Sequence, residues 1–190
     1  MLPALIKWRK RTKIKVPFRT QVTINIADDP ELMELMIAAG FKGIFIGIET
    51  PDEDSLLTCN KKQNTRRDLI ENVKLLQRTG FDVYAGFIVG FDSDTADIFQ
   101  KQIDFIQDSG IVVAIVNILK APPGTKLYDR MVEEGRIYEV EPDGKESEAN
   151  FISMMGDDVL FRGYKDVVKY IYDPKNLYER TKTFLQQHRS

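Results

Sequence analysis

Three helical stretches of this chain end the same way, in a glycine followed at once by an apolar residue, and this punctuation restricts the fold more than any other feature. The junctions are Ala39-Gly40-Phe41, Thr79-Gly80-Phe81 and Ser109-Gly110-Ile111. A glycine just past a helix takes the left-handed conformation that closes the last turn, and the apolar residue after it opens the next element. Runs rich in β-branched and aromatic residues, with few charges, read as buried strands over 18–27, 41–49, 82–91 and 111–121. Between them lie amphipathic helices. Asp29-Pro30 supplies an N-cap and a first-turn proline, and Thr50-Pro51-Asp52-Glu53 reads as a capping box opening a helix through Leu56. Residues 67–79 and 95–109 carry apolar side chains at helical spacing. The junctions recur at 40 and then 30 residues, too irregular for a solenoid, so they mark β-α-β units of a parallel sheet.

The parity of the strands selects the kind of sheet. Val22, Ile24 and Ile26 alternate with Gln21, Thr23 and Asn25; Ile44, Ile46 and Ile48 alternate with Phe45, Gly47 and Glu49. Val83, Ala85, Phe87 and Val89 alternate with Tyr84, Gly86, Ile88 and Gly90. One parity packs under helices while the other is polar, glycine-rich or mixed, which favours a cavity-facing barrel interior over a doubly wound sheet covered on both faces. Four strands are too few to close a parallel barrel, so the expected fold is α/β, a partial (β/α) barrel. The expected domains are 1–138, the barrel portion, and 139–190, an acidic loop over 139–149 followed by two amphipathic helices, 157–172 and 175–187. The second helix places Leu177, Thr181, Phe184 and Leu185 on one face.

Composition narrows the chemistry. The 190 residues contain one cysteine, Cys59, and one histidine, His188. They therefore make no internal disulfide, no Cys/His zinc site and no cysteine-held iron–sulfur cluster by themselves. Without a histidine partner Cys59 reads as a buried, inert thiol; Trp8 and the pair Met154-Met155 read as packing residues. Net charge is −2, so no global field calls for nucleic acid or an anionic membrane. Lys7, Arg9, Lys10, Arg11, Lys13, Lys15 and Arg19 all precede the first acidic residue, Asp28. This basic stretch reads as a solvated helix face with Leu5 and Trp8 on the packed side, in preference to a nucleic-acid arm. No run reaches the roughly 18–20 apolar residues of a membrane span, and the unpaired cysteine fits the cytoplasm.

Ligands of parallel α/β proteins bind at the carboxyl ends of strands. Those ends here are Asn25, Glu49, 90–94 and 120–125. Glu49 is placed either to accept hydrogen bonds from a hydroxylated ligand or to complement a helix dipole. Gly86 and Gly90 leave room for a flat ligand or for close helix packing. Asp92 and Asp94 suit a cation, or more economically the cap of the helix from Thr95.

These residues carry a family likeness. Asn25-Ile26-Ala27-Asp28-Asp29-Pro30, Phe45-Ile46-Gly47-Ile48-Glu49-Thr50-Pro51, Lys61-Lys62-Gln63-Asn64, Gly86-Phe87-Ile88-Val89-Gly90-Phe91-Asp92-Ser93-Asp94 and Gly124-Thr125-Lys126-Leu127-Tyr128 resemble the radical S-adenosylmethionine (SAM) enzymes. The likeness is closest to the branch with a cobalamin (B12)-binding domain. It continues through Glu134-Gly135-Arg136, Asn150-Phe151, Gly163-Tyr164 and Ile171-Tyr172-Asp173-Pro174 to Tyr178, Arg180 and Phe184-Leu185, an extension of unknown role.

The resemblance implies strands three to six of a (β/α)6 barrel. It implies that Glu49 contacts the SAM ribose, that Gly86, Ile88 and Gly90 form the strand against which adenine packs through Ile88, and that backbone at 119–122, Leu119 and Ala121 included, binds adenine. Ser93 stands where the family motif has Glu, so the resemblance turns to Asp92 or Asp94 there. The family's Cys-x-x-x-Cys-x-x-Cys loop, holder of the [4Fe–4S] cluster, has no counterpart in this sequence. The expected picture is a piece of a B12-dependent methyltransferase or cyclase acting on an unactivated carbon. It supplies part of the SAM site and is inactive alone, with cluster and cobalamin ligands in a longer parent. Its expected partners are the missing half-barrel and B12 domain, a small-molecule or lipid substrate, and a second copy through exposed strand edges. A stand-alone binding or scaffolding module without catalysis is the alternative.

Overall fold

The computed structural model describes residues 1–58, 61–65, 67–138 and 149–188. Its centre is a four-stranded sheet in the order β1 (Phe18–Val22), β2 (Phe41–Glu49), β3 (Asp82–Val89), β4 (Val113–Ile118). Every neighbouring pair is parallel. Helices α1 (Leu2–Thr12), α2 (Pro30–Ala39), α3 (Glu53–Thr58), α4 (Leu69–Thr79), α5 (Ile98–Ser109) and α6 (Lys126–Glu133) accompany the strands, and α7 (Asp157–Ile171) and α8 (Pro174–Gln187) form a C-terminal extension. This is the α/β arrangement of a partial (β/α) barrel with a helical extension. Gly40, Gly80 and Gly110 cap α2, α4 and α5 at φ of 94°, 109° and 71°.

The parity division holds. Ile44, Ile46 and Ile48, Ala85, Phe87 and Val89, and Ala114, Val116 and Ile118 are buried in one core with Val73 and Leu76 of α4, Ile103, Phe105 and Ile106 of α5, and Leu160, Val167 and Ile171 of α7. The opposite parity is open: Val113 is 39% and Ile115 47% exposed although both lie within a strand.

Several boundaries differ from the sequence reading. The first strand stops at Val22 and Ile24–Asp28 winds into a 3₁₀ helix. β1 has pairing with β2 only up to Val22 opposite Ile46, so beyond it the backbone satisfies itself locally, Ile26 N–H to Thr23 O and Asp29 N–H to Ile26 O. The last strand spans only 113–118, and the third ends at Val89. Asp29 caps α2 by accepting from Leu32 N–H. Thr50 does not cap α3: its hydroxyl accepts from Asp52 N–H, and Asp52 accepts from Ser55 N–H as the real cap, because the chain turns sharply at Glu49 and the helix starts later. The helices expected from 67 and 95 start at Leu69 and Ile98. Met154 is 67% exposed instead of packed, whereas Met155 rests against the core. Cys59 and residues 139–148 of the acidic loop lie outside the described residues.

The extension packs on the outer side of β4 through α5. Gly163 of α7 sits so close to Phe99 that a Cβ would stand 2.2 Å from its ring, and the Tyr172 hydroxyl donates to Ala114 O of β4 at 2.8 Å. The buried face of α8 centres on Arg180, not Leu185, which is 66% exposed. Arg180 Nη1 donates to Gln107 Oε1 at 2.8 Å and Nη2 to Val112 O at 3.0 Å. Burial pushes its pKa down from the ordinary arginine range. A guanidinium satisfies carbonyl oxygens that an aliphatic side chain would leave bare, which is why the packed face reads as polar in sequence.

Phe87 is fully buried and meets Phe105 edge-on at 5.7 Å. Phe87→Ala is expected to lower stability by about 3–5 kcal/mol, measured as a reduced urea midpoint with unchanged slope.

Candidate functional site

The open face of the sheet has a layered floor. Phe45, Tyr84 and Val113 form one row across β2, β3 and β4; the next, nearer the carboxyl ends, is Gly47, Gly86 and Ile115; then come Ile88 and Asn117. The two glycines side by side make a notch between apolar side chains. A Cβ on Gly86 would stand 3.0 Å from the Phe45 ring. Below the notch an open hollow of about 350 Å³ is lined by Arg19, Thr20, Gly43, Phe45, Tyr84, Val113 and Ile115, and the Arg19 guanidinium lies over the Tyr84 ring at 5.4 Å.

Glu49 closes the upper edge. It stands at φ 68°, a left-handed conformation that costs a non-glycine residue on the order of 1–3 kcal/mol and is tolerated where the surroundings impose it. The pairing of β2 with β3 slips at this point, between Gly47 and Glu49. The turn swings the Glu49 carboxylate back over Gly47, where a Cβ would come within 2.3 Å of Oε1. Lys61 holds it there at 2.7 Å. Asn64, 2% exposed, donates its amide to the carbonyls of Gly47 and Ile48 at 3.2 and 3.0 Å. The arrangement offers a carboxylate acceptor fixed over Gly47, beside a Gly86 bordered by the Phe45 ring, suited to a hydroxylated ligand with a flat portion.

Beyond β3 the loop is tied by Asp94. Its Oδ2 accepts from Gly90 N–H and Phe91 N–H at 2.8 and 3.0 Å, and its Oδ1 from the Ser55 hydroxyl at 2.9 Å. Burial raises its pKa above the ordinary carboxylate value, against the lowering effect of those hydrogen bonds. Asp92 is gripped by two arginines, Arg130 Nη2 at 2.7 Å on Oδ2 and Arg136 Nη2 at 2.7 Å on Oδ1. Neither aspartate caps α5, whose N-cap is Asp97; Asp94 turns back to the strand end and Asp92 toward α6. Among the described residues no group of three or more His, Cys, Asp and Glu is placed to hold a metal ion.

The residues expected from sequence divide accordingly. Glu49, Gly86 and Ile88 come together on the open face, with the carbonyl of Ile88 held by Gln102 at 2.7 Å. Gly90, at φ 100°, faces Leu160 of α7, 3.1 Å from where its Cβ would be, so its lack of a side chain serves packing on the outer side. Asn25 is exposed on the 3₁₀ turn and its Oδ1 accepts from the Thr23 hydroxyl. Leu119 extends the β4 pairing through its N–H to Val89 O. Ala121 is fully buried, and its N–H and C=O both bond the side-chain amide of Asn150, at 2.8 and 2.7 Å. Sequence reasoning missed Gly47, Lys61, Asn64 and the Ser55–Asp94 link as parts of the site. The signal for Gly47 was present, a glycine two residues before a strand-end carboxylate.

A model described as the radical SAM superfamily matches residues 1–106 of the chain, and one described as a domain of unknown function, DUF4070, matches 125–190. A hopanoid C-2 methylase of Rhodopseudomonas palustris is 37% identical over 180 residues, 95% of this chain and 33% of that protein. An uncharacterized methyltransferase of Synechocystis is 32% identical over 183 residues, covering 95% and 34%. A bacteriochlorophyllide d C-12(1)-methyltransferase of Chlorobaculum tepidum is 28% identical over 127 residues, 67% and 28%. The chain thus spans about a third of the length of these curated relatives.

Because the folded pKa of Asp94 is raised, the folded state holds that proton more tightly than the unfolded chain does. Its contribution to stability therefore falls as pH rises from the unfolded value, near 4, through the raised folded value. Asp94→Asn keeps an acceptor for the Gly90 and Phe91 amides and removes the buried charge. Its urea stability relative to wild type is expected to rise as pH climbs from about 4 through the raised folded pKa and then level; a pH-independent difference would count against the assignment.

Proposed function

Because the chain belongs to the radical SAM superfamily, we propose that it forms the SAM- and substrate-facing part of a B12-dependent radical SAM enzyme, of methyltransferase or cyclase type on an unactivated carbon. The observation that carries this reading is the paired-glycine notch of Gly47 and Gly86 under a Glu49 carboxylate fixed by Lys61. Glu49 accepts hydrogen bonds from the ribose. Gly86 and Ile88 give adenine a flat, apolar surface, and the segment 119–122 borders the edge of the base, the Leu119 N–H and the Ala121 N–H being engaged by Val89 and Asn150. Asn25 lines the mouth beside the first strand. Gly90 and Asp92 act by shaping the loop after β3, Asp92 through its arginines.

SAM bound at an iron–sulfur cluster supplies the radical chemistry in this class, and cobalamin the methyl transfer. The notch and acceptor fit part of SAM. A three-thiolate cluster does not fit the 190 residues, which hold one cysteine, so its ligands and those of cobalamin would come from other sequence. Domains at 1–138 and 139–190, a cytoplasmic setting, and either the rest of a barrel or a second copy against the exposed strand edges complete the proposal. No helix among the described residues is long and apolar enough to cross a membrane. The apolar open face, with Phe45, Tyr84, Val113 and Ile115, suits an apolar small-molecule or lipid substrate, and two relatives are named for methylating a hopanoid and a bacteriochlorophyllide.

Two outcomes test this. Titrating S-adenosylhomocysteine into the chain by calorimetry is expected to show saturable binding, weakened about tenfold or more by Glu49→Ala, as for loss of a charge-assisted hydrogen bond; no binding by wild type defeats the reading. Reconstituting the same chain with iron and sulfide is expected to yield no 5′-deoxyadenosine from SAM under reducing conditions. Formation of that product would overturn the claim that the 190 residues are inactive alone.

A further inference from the structure

We propose that Asn150 is a positioning residue for adenine recognition, so that the extension takes part in the SAM site; this rests on the reading above. The argument begins with the loop between β4 and α6. Pro122 and Pro123 have no N–H to donate, and Gly124 stands at φ 81° with nothing within 4 Å of where its Cβ would be. Within the loop Pro122 O accepts from the Thr125 N–H and hydroxyl at 3.2 and 2.7 Å, bonds that do not reach Ala121. Ala121 is held instead from 29 residues further along the chain: its N–H donates to Asn150 Oδ1 at 2.8 Å and Asn150 Nδ2 donates to its carbonyl at 2.7 Å. A planar carboxamide that bonds both polar groups of one residue fixes its orientation as well as its position. With both of its polar ends engaged at Ala121, Asn150 acts through the loop and not on the ligand.

Asn150 is itself anchored to the other side of the site. Ile137 and Phe151 form an antiparallel bridge, Ile152 N–H donates to Arg136 O at 2.8 Å, and Arg136 Nε donates to Ile152 O at 2.9 Å. Phe151 is buried with Ala121 and Met131, under the Arg136 guanidinium at 5.5 Å. The same guanidinium grips Asp92, just beyond β3. One strap therefore joins the loop after β4 to the loop after β3, the two walls between which the base would lie. Recognition of a flat base depends on the spacing of such walls being held to a fraction of an ångström.

The test uses S-adenosylhomocysteine affinity of the chain, measured from about pH 4 to 8, with Asn150→Ala, Asn150→Asp and Tyr172→Phe. Asn150→Ala is expected to bind about tenfold more weakly, the loss of two directed hydrogen bonds on the loop, at every pH. In Asn150→Asp the ionised carboxylate sets an oxygen against the Ala121 carbonyl. Affinity should fall by a similar factor at pH 8 and recover toward pH 4, where protonation in the carboxylate range restores a donor; relative to its own value at pH 8, wild type should show no such recovery. Tyr172→Phe loosens the extension on β4, away from the loop, and is expected to lower the melting temperature without changing affinity. Asn150→Ala binding within twofold of wild type, or an Asn150→Asp profile parallel to wild type, overturns the proposal. If wild type itself fails to bind, the SAM-site reading falls. Hydrogen exchange at the Ala121 amide then still reports whether Asn150 holds the loop, faster exchange in Asn150→Ala showing that it does and unchanged exchange that it does not.

Discussion

A parallel sheet has to put one face against helices, and the rest of this molecule follows from the apolar parity of four strands meeting that requirement. Ile44, Ile46, Ile48, Ala85, Phe87 and Val89 are removed from water under α4, α5 and α7, an apolar burial that drives folding. Because alternate residues of a strand point to opposite faces, that burial also fixes what is left on the other side. Gly47, Gly86, Ile88, Tyr84 and Ile115 are thereby presented together on the open face without any interaction among themselves that would collect them.

The carboxyl ends of the strands leave sheet pairing and need other partners for their backbone groups. At the ends of β2, β3 and β4 polar side chains supply them. Asn64 takes the carbonyls of Gly47 and Ile48, Gln102 that of Ile88, Asp94 the amides of Gly90 and Phe91, and Asn150 both groups of Ala121. The helices and the strap thus reach the open face of the sheet through backbone hydrogen bonds, and the loops there are fixed by the fold itself. That is the physical content of preorganisation. It also gives the C-terminal extension a place in the architecture: α7 and α8 hold to α5 and β4, while the strap ahead of them holds the loop.

The strand–helix alternation, the glycine stops and the two parities were legible because each follows from residues close in sequence. The Asp29 cap belongs with them. Where the reading went astray, the decisive partner was distant. The first strand ends at Val22, opposite Ile46 of β2, where the chain winds into the 3₁₀ turn packed against α4 and α2. Thr50 yields the cap of α3 to Asp52 because Glu49 turns the chain first. Arg180 is buried because Gln107 and Val112 present oxygen atoms to it. Asp92 and Asp94, two residues apart, take opposite partners for the same reason.

By itself the sequence determined the class of fold, the open face of the sheet and the carboxylate at its edge, since periodicity and helix termination are local properties of the chain. Tertiary structure alone decided which strand-end groups remain available. Lys61 turns Glu49 over Gly47, two arginines occupy Asp92, and Asn150 occupies Ala121. Each of those pairings depends on where a separate segment lands once the core has closed, and local periodicity does not specify that.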